Sequence, residues 1–567
     1  MRNKKVALLA VLLAGVISLS ACAGTQSKKG STSTSESSQI KASDVSKSPD
    51  AAKARKDTMV VSTTDMNGIW SKDFSNSSYD WYACEVMFDY LVNPTADGKP
   101  EASASTYKVS SDGLTYTFTL KDGVKYWDGK AATAKDIEFW LYVESDPNYD
   151  GQVDLSTVNI KGFNDYKTGS ATTISGIKVV DDKTIQITLD QPNAPGLWNL
   201  AVPLMEKDYY GPNFKKGDAA AVEKKISDDK PMGSGQYKFV SYDPSTGLKM
   251  TANDSYFKGA PKIKNLEFAI TAEGKELQSV QAGQTDFANA TCSQDNITSL
   301  TNSKFISAQY FPANLYGMIQ WNLQDEKYKD VKVRQALAYA LDRKAIVKTV
   351  YGPYGKVNNV PIPQSSWGYT DKGLTTYDYS IDKAKSLLKE AGWNLDTSTN
   401  KLMKDGKPFV IDFTATSGNA VTDVMLPVMK SSYGKLGIDV NIETADFATI
   451  LKNYNKGKLD ACFMGQNLGS PDPDESVSFM TGGTQNFYKY SNTNLDKLFK
   501  QELTETDTAK RTQTFYQIDK ILNNDLPQFP IYQRNDLWVY NGRISNVQDM
   551  GAFRDPFYDF YLYEIKG

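Results

Sequence analysis

An α/β (mixed α+β) body is predicted by three observations. Strand-like and helix-like periodicities alternate past Asp57, no segment repeats at a fixed period, and the 567 residues are 40% hydrophobic and 23% charged, a globular composition long enough for about three domains. Thr58 to Thr64 (TMVVSTT) reads as the first strand. Thr115 to Leu120 (TYTFTL) alternates between the turn signals Asp112-Gly113 and Asp122-Gly123, and Thr184 to Leu189 (TIQITL) alternates behind Asp181-Asp182. Leu266 to Thr271 is a further strand. Thr133 and Asp136 precede the apolar stripe Ile137, Trp140, Leu141 and start a capped helix. Val331 to Tyr351 carries Val333, Leu337, Leu341 and Ile346 at helical spacing, Asp382 to Ala391 stops at the C-capping Gly392, and Thr506 to Leu522 gives one more long helix.

Composition removes whole classes of function. The 64 basic and 67 acidic side chains nearly balance, which leaves no basic surplus for nucleic acid. There is no histidine, so Ser-His-Asp and Cys-His catalysis, zincin motifs and histidine-ligated metals are excluded together. Gly233-Ser-Gly235 lacks the rest of a dinucleotide fingerprint, and no Walker A sequence occurs. Ser432-Tyr-Gly-Lys435 has S-x-x-K spacing without its companion motifs, and Pro471-Asp-Pro-Asp-Glu475 lacks the alternating ligands and glycine of a calcium loop. No cofactor and no metal site is expected.

Arg2, Lys4 and Lys5 followed by the uncharged run Val6 to Leu19 have the layout of a secretory signal peptide over 1–21. The run is short of the roughly 20 residues a membrane span needs. Leu19-Ser20-Ala21-Cys22 resembles the lipobox of bacterial lipoproteins, and the resemblance implies a lipid on Cys22. Removing 1–21 takes three of the 64 basic side chains and no acid, leaving a charge of -6. Residues 22–57, rich in Ser, Thr, Lys and Ala and free of aromatics, read as a disordered tether. With Cys22 lipidated, Cys84, Cys292 and Cys462 remain, an odd set that leaves buried thiols or a single bridge open.

Asp112-Gly-Leu-Thr-Tyr-Thr-Phe118, Lys121-Asp-Gly-Val-Lys125, Thr133-Ala-Lys-Asp-Ile137, Gly233-Ser-Gly-Gln-Tyr-Lys-Phe239 and Asn253-Asp-Ser-Tyr-Phe257 occur in that order. Asp330-Val-Lys-Val-Arg-Gln-Ala-Leu-Ala-Tyr-Ala-Leu-Asp-Arg343, Leu387-Leu-Lys-Glu-Ala-Gly392 and Leu526-Pro-Gln-Phe-Pro-Ile-Tyr532 follow. This series resembles the extracytoplasmic oligopeptide-binding proteins, the family 5 substrate-binding proteins of peptide-type ABC importers, in lipoprotein form. It covers almost everything after Asp57. The resemblance implies a two-lobed periplasmic-binding-protein-like fold of three segments, with a cleft closed by a hinge. Domain I would comprise 58–79, 229–305 and 530–567, domain II 80–228 and domain III 306–529. It also implies a monomer that delivers an oligopeptide to importer permease subunits at the outer face of the bacterial cell membrane.

In that family the ligand lies between two extended segments like an added strand. They correspond here to Asn76-Ser77-Ser78-Tyr79 and to Gly465-Gln466-Asn467-Leu468-Gly469, with Phe447 at a pocket position that carries tryptophan in the family. The family's amine-anchoring aspartate falls three residues before the acid of Asp472-Pro473, which is Gly469. The anchor is absent, and Asp472 and Asp474 are the nearest substitutes. That departure keeps an oligosaccharide ligand open, with exposed Trp70, Trp81 and Trp367 as stacking platforms. A secreted hydrolase acting on a similar polymer is the competing class.

Overall fold

The computed structural model describes residues 38–64, 66–228 and 230–566; the signal peptide expected over 1–21 and the lipidation residue Cys22 lie outside them. In the first lobe, the apolar run Thr58–Thr63 lies between Asn265–Ile270 and Phe287–Thr291, parallel to both. Such a run suits a strand covered on two faces, and Met59 and Val61 are buried. Gly247–Ala252 and Tyr237–Asp243 extend this sheet antiparallel.

A separate four-stranded antiparallel sheet runs in the order Ser105–Val109, Thr115–Leu120, Thr184–Thr188, Ile177–Val179. Tyr116, Phe118 and Leu120 face inward, as the alternation requires. Helix Ala134–Glu144 packs on it, opened by a capping box in which the Thr133 amide donates to Asp136 (2.8 Å).

The second lobe has its own core around Ala461–Asn467, Leu315–Trp321, Val410–Thr416 and Asp439–Ala445. The two sheets are joined by the strand Gln528–Asn541. Residues 528–532 pair with Leu315–Trp321 in the second lobe, and residues 535–541 pair with Ile306–Pro312 in the first. The chain thus changes lobes twice, side by side, at Ala313-Asn314 and Gln533-Arg534. The Ala313 amide donates to the Arg534 carbonyl (3.0 Å) and the Gln533 side chain to the Ala313 carbonyl (2.8 Å). Two antiparallel crossings side by side have the form of a hinge, the second braced by Gly355–Val357, which pairs with residues 532–534. The strands 306–312 and 535–541 belong to the first lobe's ladder.

Three expectations are corrected. The tether expected over 22–57 is folded from Ser38: Ser38–Ile40 adds an antiparallel strand to Ile306–Pro312, and Arg55 pairs with the buried Asp286 (2.9 Å). Few apolar groups are needed there, because backbone pairing to an existing edge supplies the order. The helix expected over Val331 to Tyr351 is two, Val331–Tyr339 and Arg343–Tyr351. Asp342 caps the second by accepting the Ala345 amide (3.0 Å), and the break lets the buried Arg343 donate to the Asn358 and Pro530 carbonyls (2.6 and 2.7 Å). Trp70, expected exposed, is 3% exposed and packs edge-on against Tyr242 at 5.1 Å. Cys84, Cys292 and Cys462 are buried free thiols.

Candidate ligand-binding cleft

Along the strand Gln528–Asn541, Tyr532, Arg534, Asp536 and Trp538 alternate and so share one face. All four line a cavity of about 1010 Å³ whose walls come from both lobes. The hinge strand is therefore the floor of the cleft. This signal was readable in the sequence as a period of two.

The first lobe supplies Asn76, Ser78, Tyr79 and Trp81. Their placement depends on Asp80, which the motif reading missed. Its fully buried carboxylate accepts the amides of Asn67 and Gly68 (2.9 and 3.2 Å) and the Ser75 hydroxyl (2.7 Å), fastening the loop to helix Ser78–Met87. Burial pushes Asp80 up to about 6, although these donors oppose the shift. The second lobe supplies Phe447 and Gly465, Gln466, Asn467 and Gly469. Ala461–Asn467 pairs along its whole length with Leu315–Trp321, but its other ladder, to Val410–Thr416, ends at Cys462. From Phe463 to Asn467 that second edge has no strand partner among the described residues, and it borders the cavity.

The lobes are closed on each other. Tyr79 meets Phe447 edge-on at 6.3 Å. Asn419 donates to Glu273 (2.7 Å), the Ala194 amide to the Leu503 carbonyl (2.8 Å), and Gln485 to the Gln152 carbonyl (3.1 Å).

Three residues proposed for the site do not line the cavity. The Ser77 hydroxyl is buried without a partner among the described residues. Trp367 stands edge-on to Phe515 at 5.3 Å, under the Arg511 guanidinium. With Trp70 in the core, of the three expected stacking platforms only Trp81 reaches the cleft, and its indole N–H is committed to the Ser75 carbonyl (2.7 Å). Asp472 is taken by Arg511 in a two-pronged ion pair (2.5 and 2.7 Å), and Arg511 also donates to Glu502 (2.9 Å). Arg511 already neutralises the charge of Asp472, and with the Asp474 amide (3.1 Å) it takes three of the roughly four acceptor sites of the carboxylate. Asp474 does line the cavity, yet it accepts the Ser476 amide and hydroxyl (2.8 and 3.1 Å).

At Gly469 the backbone has φ +67°, and a Cβ there would lie 3.3 Å from Trp81 Cζ3. The position of the missing anchor abuts the Trp81 ring. A side chain there requires the Trp81 ring to shift by a few tenths of an ångström and a backbone conformation that L residues rarely adopt.

The charge of the cleft was invisible in the composition. The first lobe and hinge strand present Asp73, Glu85, Asp154, Glu273, Glu276, Asp536 and Asp555, and the second lobe Asp446, Asp474 and Glu475. Against these ten stand two cations, Lys72 and Arg534. Both are already paired, Lys72 with Glu85 (2.8 Å) and Arg534 with Asp536 (3.2 Å). Burial lowers Lys72, but Glu85 and Tyr558 more than reverse this and keep it charged. Burial pushes Asp73 up to about 6 although Trp140 donates to it (2.7 Å), and burial pushes Glu475 up to about 8. Asp555 is pushed well above the carboxylate range, by burial first and Glu85 second.

Comparison with known proteins agrees with this geometry. A family model described as bacterial extracellular solute-binding proteins, family 5 (middle), matches residues 99–488. The chain is 28% identical over 550 residues to the oligopeptide-binding protein AppA of Bacillus subtilis strain 168, covering 94% of this chain and 95% of that protein. It is 28% identical over 447 residues to the dipeptide-binding protein of Escherichia coli K12, covering 75% and 79%. Among solved structures it resembles the Bacillus subtilis AppA complex with a nonapeptide, with a TM-score of 0.82 at 25% identity over 90% of this chain and 99% of that one. The fold, the closed two-lobed cleft and a match over more than half of the chain place it in one family: it belongs to the bacterial extracellular solute-binding proteins of family 5, extracytoplasmic proteins that bind a solute and are not enzymes.

Proposed function

We propose that this protein captures oligopeptides in the interlobe cleft and delivers them to an ABC importer. The observation that carries the reading is the open backbone edge from Phe463 to Asn467 beside the cavity. An extended peptide completes such an edge through main-chain hydrogen bonds, which do not depend on its side chains. In the segment from the first lobe, Ser77 is also extended, at φ −101° and ψ 121°. The peptide-binding names of the Bacillus subtilis and Escherichia coli relatives support the same ligand class. Asn76, Ser78, Tyr79, Trp81, Phe447, Gly465, Gln466, Asn467 and Gly469 are the proposed contacts. In the same reading the protein is a monomer held at the outer face of the cell membrane by a lipid on Cys22, and domains I, II and III move as two lobes about the crossings at 313–314 and 533–534.

Mass spectrometry of ligand released by denaturation from the tag-free protein tests the reading. Peptides at near-stoichiometric yield are expected. Unmodified sugars in their place overturn it. Small-angle scattering is expected to show a smaller radius of gyration on adding that ligand to stripped protein. Cys22→Ser is expected to move the protein from membranes to the medium, and persistence through a carbonate wash refutes the anchor.

A further inference from the structure

At the deep end of the cleft, where the hinge strand meets helix Ser78–Met87 and the segment around Asp555, the carboxylates outnumber their partners. Glu85 is 5% exposed and lines the cavity. Its Oε1 accepts both Lys72 (2.8 Å) and the Tyr558 hydroxyl (3.0 Å), while its Oε2 is buried with no partner among the described residues. Asp555 also lines the cavity, and no described residue donates a hydrogen bond to its side chain. Asp536 lies within ion-pair distance of Arg534, but its Oδ1 receives no hydrogen bond of acceptable geometry. Three carboxylates and two ammonium or guanidinium groups therefore gather in a corner at one end of the cleft, and Asp555 is the one without a cation of its own.

The Glu85 Oε2, buried and unpartnered, is costly as a charge unless something completes it, and the partly exposed Asp555 beside it has no donor either. Among the described residues no group of three or more such side chains is arranged to hold a metal ion. Left empty, Asp555 takes up a proton, in line with its raised pKa; an organic cation brought by the ligand would displace that proton and complete the corner. Two walls favour this over a neutral group. The corner is lined by Tyr82, Trp538 and Tyr558, which accommodate the aliphatic stem of a long side chain while its charged tip meets the acids. The rest of the cleft carries no unpaired cation that would attract an acidic ligand instead.

We propose that this corner is a subsite for a positively charged group of the ligand, an ammonium or guanidinium received by Asp555 and the free oxygen of Glu85, and that the protein selects cationic ligands. The proposal rests on the peptide reading for the form of the ligand, but its charge logic does not. The missing anchor at Gly469 then acquires a counterpart: the cation is met from the first lobe and hinge side, not from the loop after Asn467. Two sources carry the same chemistry, a lysine or arginine side chain and a free α-amine.

Calorimetry on ligand-stripped protein separates them. The probes are alanine pentapeptides with lysine walked through each position, the same peptides with norleucine in its place, and both sets with and without an N-terminal acetyl group. A charge-assisted bond to a buried carboxylate predicts that at least one lysine peptide binds about tenfold or more tightly than its norleucine twin. In Asp555→Asn, checked for folding by its melting curve, that ratio is expected to fall toward one. If instead only acetylation costs tenfold, the α-amine is the source and the subsite stands. Lysine, norleucine and acetylated peptides of equal affinity overturn the proposal. So does a lysine preference that survives intact in folded Asp555→Asn and Glu85→Gln. If no peptide binds, the peptide reading falls by itself. The charge test then passes to a glucosamine tetramer against its N-acetylated form, where a preference for the charged sugar sustains the subsite and its absence overturns it.

Discussion

Gly469→Ala tests whether the lobe contact at the vacant anchor position governs ligand affinity. Two costs act on the new methyl group. The backbone at φ +67° disfavours an L side chain by about 1–2 kcal/mol, and this acts on the open and closed forms alike. The second cost acts only on closure. The Cβ lies 3.3 Å from Trp81 Cζ3 across the cleft, and Trp81 is held in place by its bond to the Ser75 carbonyl (2.7 Å). Relieving such a contact by a few tenths of an ångström lies at the low end of overpacking costs, about 1–1.5 kcal/mol. Because ligand binds the closed form, the closure term passes into affinity while the backbone term passes into overall stability. Affinity is expected to fall by about one decade. A double-mutant cycle isolates the term: calorimetry with Ala-Ala-Lys-Ala-Ala on the parent, Gly469→Ala, Trp81→Ala and the double variant. The tenfold loss is expected in the parent background and a loss below about threefold once Trp81 is removed. Equal losses in both backgrounds would refute the closure argument and leave backbone strain as the cause.

Removing the cation from the triad is expected to be expensive: Arg511→Met leaves Asp472 and Glu502 buried without it, so a loss of about 3–5 kcal/mol in denaturant unfolding is expected, and one below about 1 kcal/mol refutes the assignment. Asp80→Ala strands the amides of Asn67 and Gly68 and the Ser75 hydroxyl. Hydrogen exchange is expected to rise over residues 66–79 with a stability loss of about 1–3 kcal/mol; unchanged exchange there refutes the fastening role. Glu475 is held near 8 by burial, with Asp474 adding to the shift and Ser478 opposing it. Its folded form binds a proton more tightly than its unfolded form, so its contribution to stability falls as pH rises from about 4.5 to 8. Glu475→Gln is expected to flatten that part of the melting-temperature profile, and a profile parallel to the parent's contradicts the shift.

What was legible in the chain is what local rules determine. The Thr133 and Asp136 box closes within one turn of helix, and the alternation of Tyr116, Phe118 and Leu120 needs only the next strand to have a face to bury. Tyr532, Arg534, Asp536 and Trp538 were equally legible as one face of a strand, though not as the floor of a cleft, since period two says which side chains travel together but not what they face. Relations between segments distant in sequence had no such signal. Asp472 had the right chemistry for an amine anchor, and only the fold shows that Arg511, 39 positions away, already occupies it. Trp81 and Gly469 meet because two lobes close. Charge is the sharpest case. A total of -3 over 567 residues predicts nothing about a field, because composition sums over positions whereas potential depends on which positions share a low-dielectric space. Ten acidic side chains against Lys72 and Arg534 gather in the cleft of a protein that is nearly neutral, and burial pushes Asp73, Glu475 and Asp555 among them toward their neutral forms. The selectivity of such a receptor therefore has to be read from the cleft, and Asp555 is where that reading is most exposed to test.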